Sequence, residues 1–120
     1  LILQARRDLE NARKNIGIAA YEVAAFLAHQ SVEKYLKGAW LERKRARPPA
    51  THYLRELGAG LGIPKPLLAN LNYINPDYTI ARYPDAANGV PYELYDEPIA
   101  RAKVRAAAAV AKWVESLIRS

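Results

Sequence analysis

Apolar positions recur at spacings of three and four through most of this chain, which predicts helices. The longest such stretch covers residues 18–43, IAAYEVAAFLAHQSVEKYLKGAWLER, and contains no proline. On a helical wheel Ile18, Tyr21, Ala25, Ala28, Val32, Leu36 and Ala39 share one face, while Val23, Leu27 and Leu41 form a smaller apolar patch roughly opposite. Gln30, Lys34 and Lys37 mark the polar part. A helix that is apolar on more than one side needs neighbours on more than one side. The pattern therefore predicts the central helix of a bundle, lying near a second subunit as well.

The flanking stretches follow the same period. Ile2, Ala5, Leu9, Ala12 and Ile16 predict a first helix over residues 1–14, with Asn15 and Gly17 as its stop, because both tolerate left-handed backbone angles. So short a link predicts antiparallel packing with the central helix. Pro48 and Pro49 end the basic run Arg43, Lys44, Arg45, Arg47. Thr51 is placed to cap a third helix over 52–61, with Leu54, Leu57 and Leu61 as its stripe and three glycines weakening its end. A short fourth helix is predicted over 66–73. Residues 74–95 carry three prolines, Asn88-Gly89 and four tyrosines, which predicts a loop; loops of that length inside a compact domain are often functional. Asp96 caps the last helix, which shows two adjacent apolar stripes, one through Ile99, Ala102, Ala106, Val110, Trp113 and Leu117 and one through Val104, Ala107, Ala111, Val114 and Ile118.

Composition adds bounds. A chain of 120 residues, 51% hydrophobic and 25% charged, suits one soluble domain over residues 1–120. There is no cysteine, so disulfides, thiolate nucleophiles and zinc–thiolate sites are excluded, which suits a cytoplasmic protein. No apolar run approaches the roughly 20 residues of a membrane span. No signal peptide is visible; because the first residue is Leu1 and not methionine, a few residues are expected to be missing from the start. With 18 basic and 12 acidic residues the formal charge is +6, which favours an anionic partner such as nucleotide or nucleic acid. There is no Gly-rich phosphate loop, no serine–histidine–aspartate set and no paired-carboxylate arrangement, which argues against a stand-alone kinase, hydrolase or nucleotidyltransferase.

Three segments, in this order and spacing, are familiar: AYEVAAFLAHQSVEKYLKGAW in the central helix, PPATHYLREL at the next helix start, and ARYPD in the long loop. With the alanine-rich last helix they give a chain that resembles the HEPN family (higher eukaryote and prokaryote nucleotide-binding domain) along essentially its whole length. The resemblance implies an all-α, up-and-down bundle of four long helices with short extra helices, one long ordered loop, and usually a homodimer. It also implies a neighbour, a minimal nucleotidyltransferase encoded beside it, the pair acting in a toxin–antitoxin-like system. Some branches are metal-independent ribonucleases with an Arg-x(4–6)-His motif; others lack it and have been proposed to bind nucleotides.

Arg47 and Arg45 stand at the four- and six-residue spacings from His52, one of two histidines in the chain. A ribonuclease of this kind needs a histidine to move protons and an arginine to offset charge on the phosphate. In the nuclease branches, however, the pair sits around the last long helix, where this chain has no histidine. The plainer reading makes His52 a helix-start residue that bonds locally or packs against the long loop. In that loop Arg82 and Tyr83, followed by Pro84-Asp85, can hold a phosphate and stack a base, with Tyr73, Tyr78, Tyr92 and Tyr95 adding aromatic surface; the plainer reading makes them loop anchors. His29 falls on the apolar side of the central helix and is expected to be a buried, hydrogen-bonded histidine. Glu33 and Lys37, four apart, are expected to form a weak solvated pair. No metal or cofactor is expected, since two histidines without clustered carboxylates make no metal site.

The sequence thus favours a nucleotide- or RNA-binding interaction module with His52, Arg82, Tyr83 and Arg45 as ligand contacts. The alternative is a ribonuclease toxin using His52 with Arg47 or Arg82, and a third is a dimerisation protein without ligand.

Overall fold

The structure, a computed structural model, describes residues 1–82 and 89–120. Its helices are α1 (Ile2–Gly17), α2 (Tyr21–Lys44), α3 (Leu54–Gly60), α4 (Lys65–Ile74), α5 (Asp77–Ile80) and α6 (Glu97–Arg119), with a 3-10 turn at Pro91–Glu93. The protein is all-α, and no strand occurs among the described residues.

The apolar period of α2 sets its place. Ala25, Ala28, Val32, Leu36 and Ala39 are all fully buried, as their shared face requires. Helices α1 and α6 cover most of α2, and α3, α4 and α5 each touch it too. Tyr21, at the helix start, is half-buried, and Ile18 is 75% exposed, because the helix starts three residues later than its periodicity suggests. The turn before it also differs from expectation. Asn15 donates its amide to the Asn11 carbonyl and stays helical, α1 runs on through Gly17, and Ala19 takes the left-handed angle, φ 61°. An alanine there carries some strain, modest because its side chain is a single methyl.

The direction of packing follows from which residues meet. Ser31 donates to the Ala5 carbonyl, Lys34 pairs with Asp8, and a Cβ on Gly38 would collide with Ile2, so α1 and α2 run antiparallel. Asn70 reaches the Ala106 carbonyl and Lys103 the Tyr73 carbonyl, so α4 and α6 are antiparallel as well. Chain order α1, α2, α4, α6 is therefore an up-and-down bundle, with α3 and α5 as the short extra helices. On α6 the second stripe is the core one: Val104, Ala107, Ala111 and Val114 are buried with Val110, while Ala106, Trp113 and Leu117 are half-buried beside it. A charged cluster closes the bundle between α1, α2 and α6. Arg6 grips Glu115 through two bonds of 2.7 and 2.8 Å, and Tyr35 donates to the same carboxylate at 2.9 Å. Hydrogen bonding from Arg6 holds the Glu115 carboxyl down to about 2, and burial together with Glu115 pushes the Tyr35 hydroxyl up to about 12.

The segment after α2 begins with a sharp change of direction. Arg45 adopts φ 50°, donating its N–H to the Leu41 carbonyl, and Pro48 and Pro49 keep the chain extended on its way back. Helix α3 starts at Leu54, not at His52, with Tyr53 as its capping residue. Thr51 does not cap it: its hydroxyl accepts the Tyr53 N–H, and the Leu54 N–H goes to Asn75 at the far end of α4. Gly60 is where α3 meets α2, since a Cβ there would lie 2.3 Å from the Trp40 ring. The 74–95 stretch is not wholly a loop, because it contains α5 and the 3-10 turn. Asp96 caps α6 as expected, accepting the Ile99 N–H at 2.9 Å. Among the described residues, no helix is long and apolar enough to cross a membrane.

Because Leu36 is fully buried where α2 meets its neighbours, Leu36→Ala should lower unfolding free energy by about 2–5 kcal/mol. Urea denaturation checks this, and a change below about 1 kcal/mol would show that the site can collapse around the cavity.

Candidate functional site

The site is built where three chain segments meet. Its floor is Glu33 on α2, a carboxylate only 8% exposed. It accepts from Lys37 Nζ at 3.1 Å, one turn on, and lies 2.8 Å from Nδ1 of His52. The return from Arg45 through the two prolines is what carries His52 back beside Glu33. With the carboxylate accepting, Nδ1 is the protonated nitrogen. Nε2 of the half-exposed His52 makes no hydrogen bond among the described residues.

The wall is Tyr78 on α5. Its ring stacks on the His52 imidazole with centroids 4.0 Å apart and planes 16° from parallel. The Arg82 guanidinium lies 5.2 Å from that same Tyr78 ring and 5.2 Å from the Phe26 ring, within cation–π range of both. His29 sits beneath, its ring 5.5 Å from Tyr78. A cavity of about 260 Å³ opens between Thr51, His52, Asn75 and Tyr78.

Helix α5 has four residues, too few to hold itself, so its position comes from tertiary contacts. Asp77, 2% exposed, supplies them. Tyr95 donates to Asp77 Oδ1 at 2.6 Å, and the Lys103 ammonium on α6 lies 2.9 Å from Oδ2. Lys103 also donates to the Tyr73 carbonyl at 2.6 Å and rests 3.7 Å over the Tyr73 ring. Burial pushes the Asp77 carboxyl above the usual range, against the pull of Tyr95 and Lys103; burial and Asp77 together push the Tyr95 hydroxyl well above its ordinary value.

The residues singled out from sequence are therefore split. His52 and Arg82 meet on one tyrosine ring. Arg45 and Arg47 are exposed on the return segment and, among the described residues, their side chains make no ion pair or hydrogen bond. Tyr83, with Pro84 and Asp85, lies outside the described residues. Glu33 and Lys37 do pair, but not on a solvated face: Glu33 is buried and serves His52. Its signal was present in the sequence, since Glu33 lies four residues after His29 and therefore shares its side of α2. His29 is fully buried as expected, but it does not bond to a neighbouring helix: Nδ1 is 3.3 Å from the adjacent Gln30, and Nε2 has no partner among the described residues. Among the described residues no three His, Cys, Asp or Glu side chains converge as a metal site would need.

Comparison with known proteins agrees with this architecture. The HEPN domain model matches residues 1–117. The chain belongs to the HEPN family. Two solved structures are closely similar. TT1696 from Thermus thermophilus superposes with a TM-score of 0.88 at 28% identity, over 97% of this chain and 94% of that one. ST0689, an archaeal HEPN homologue, superposes with a TM-score of 0.84 at 34% identity, over 98% and 93%. No curated protein matches the chain. As a HEPN domain the protein falls among nucleotide- and RNA-related modules in general.

Burial holds the His29 imidazole below its ordinary value, only partly offset by Glu33, Gln30, the His52 main chain and Asp77. Unfolding returns it to about 6.5, so the unfolded chain binds the extra proton. The stability that His29 permits is complete above about pH 6.5 and declines as pH falls below it. Denaturant titrations from pH 8 to pH 5 should show this decline, and His29→Leu should flatten it. In the pinning network, Lys103→Met strands a buried carboxylate and should cost about 3–5 kcal/mol. A loss under about 1 kcal/mol in urea would mean that Asp77 does not depend on Lys103.

Proposed function

We propose that this HEPN domain is a nucleotide- or RNA-binding interaction module whose ligand sits at the His52–Tyr78–Arg82 surface. The observation that carries the reading is the shared ring: an imidazole stacked on Tyr78 and a guanidinium beside the same ring, on a protein of net charge +6. Aromatic faces accept any base by stacking, and arginine is the residue suited to holding phosphate. Arg45 and Arg47, exposed on the return segment, extend the basic surface, and Tyr83 follows Arg82 directly in sequence. What membership of the family implies for partners carries over as part of the proposal: a homodimer, and a minimal nucleotidyltransferase as partner in a toxin–antitoxin-like pair in the cytoplasm. The dimer has one further support in the exposed Leu1, Leu3 and Leu41, which gather around one shallow cavity at the α1–α2 end.

A second reading, a ribonuclease, is favoured by the Glu33–His52 pair. A carboxylate that orients an imidazole while the other ring nitrogen is left without a protein partner among the described residues is the arrangement general acid–base catalysis uses. Arg82 is then the arginine that shares Tyr78 with it, with Arg47 as the sequence-motif alternative.

Arg82→Ala should weaken nucleotide or RNA binding about tenfold or more, read by fluorescence anisotropy at low salt. Absence of any binding by the parent protein would remove the proposal. Metal-free RNA cleavage that disappears in both His52→Ala and Glu33→Gln would establish the second reading, and cleavage indifferent to His52 would end it. In sedimentation the dimer should show a mass near twice 13.4 kDa, and a monomer at micromolar concentration would contradict it.

A further inference from the structure

The cavity at His52 is small. At about 260 Å³ it lies below the roughly 300–1,000 Å³ typical of sites that enclose a ligand. A second cavity of about 520 Å³ adjoins it, and Tyr53 and Asn75 belong to the walls of both. We propose that the two form one groove for a single-stranded oligonucleotide, with a second nucleotide lodged against Tyr53, Asn72 and Arg55. This rests on the reading of the His52 site as nucleotide-binding and specifies its ligand class.

Tyr53 is the dividing ridge. Its main chain is held by the Thr51 hydroxyl at 3.0 Å and by its place at the start of α3, yet its side chain is 68% exposed. A solvent-facing aromatic on a held main chain, bordering both cavities, is suited to stacking between successive bases. Asn75 spends its carbonyl oxygen on the Leu54 N–H and keeps its amide hydrogens for a ligand. Asn72 is exposed in the larger cavity, and its carboxamide makes no hydrogen bond among the described residues. It offers the paired donor and acceptor that a base edge needs. Arg55 makes no ion pair among the described residues and supplies positive charge for a phosphate there, as Arg82 does beside Tyr78. Glu56 is the acidic group in this wall, so the strand passes on the Arg55 side. The net charge of +6 and the exposed arginines favour a polyanion over a peptide or a second copy of this basic chain.

The test compares adenosine monophosphate with a labelled six-nucleotide oligoadenylate, as RNA and as DNA, at one low salt concentration. The oligonucleotide should bind at least tenfold more tightly than the mononucleotide. Asn72→Ala, which changes no charge, and Arg55→Ala should each bring that ratio down several-fold, whereas Arg13→Ala, on α1 beside a different cavity, should not. Either sugar meets the prediction, and the tighter one assigns the natural strand. A ratio near one with intact mononucleotide binding overturns the groove but leaves the His52 site standing. Equal loss in Arg13→Ala and Arg55→Ala overturns it too, since binding is then diffuse charge attraction. So does a protein mass that doubles with concentration and is restored to that of a monomer by Arg55→Ala, since the groove is then filled by a second copy. No binding of either ligand removes both this proposal and the reading beneath it.

Discussion

A buried carboxylate decides where the candidate site can exist. Asp77, held by Tyr95 and Lys103, fixes a helix of four residues that has no stability of its own. Placing an aspartate and a lysine among apolar helices is costly, and apolar residues of similar volume could fill the same space at less cost. What the pair adds is position. It joins α5 to α6, and the residue after Asp77 is Tyr78, on whose ring His52 and Arg82 both lie. Without that anchor a helix of four residues would not hold the tyrosine in place.

The other half of the site depends on α2. Glu33 lies at the edge of a helix face made for packing, and the bundle around it removes it from water. A carboxylate so placed needs partners, and it has two: Lys37 from its own helix and His52 from the returning chain. The two histidines of the protein thereby acquire opposite characters. His29, inside the bundle, has its proton affinity lowered by burial. His52, half-exposed, is oriented by Glu33 through Nδ1, and its other ring nitrogen makes no hydrogen bond among the described residues.

The bundle was legible because its signal is periodic and local. The buried face of α2, the stripe of α6 and the Asp96 cap all follow from spacing and residue type. Ile18 shows the limit: the pattern continues one turn past the helix start, because a strained Ala19 turns the chain there. Much less of the site was legible. His52 and Arg82 stood out by chemistry, and Tyr78, four residues before Arg82, counted among its aromatic neighbours, but nothing in spacing connects His52 to Tyr78, which lies in a segment read as loop. Glu33 looked like half of a surface pair, since its second partner is nineteen residues away and returns only because Arg45 turns left-handed. Arg47, at the motif spacing from His52, is exposed without a partner among the described residues, which shows how little a spacing through prolines says about proximity.

The central claim is that the Tyr78 ring, with His52 and Arg82 on it, receives a nucleotide. An NMR titration with adenosine monophosphate, following the side-chain signals of His52, Tyr78 and Arg82, tests it most directly. The account predicts saturable shifts at all three, with the α1 surface around Lys14 unaffected. Saturable shifts confined to another surface, or none at millimolar ligand, would contradict it.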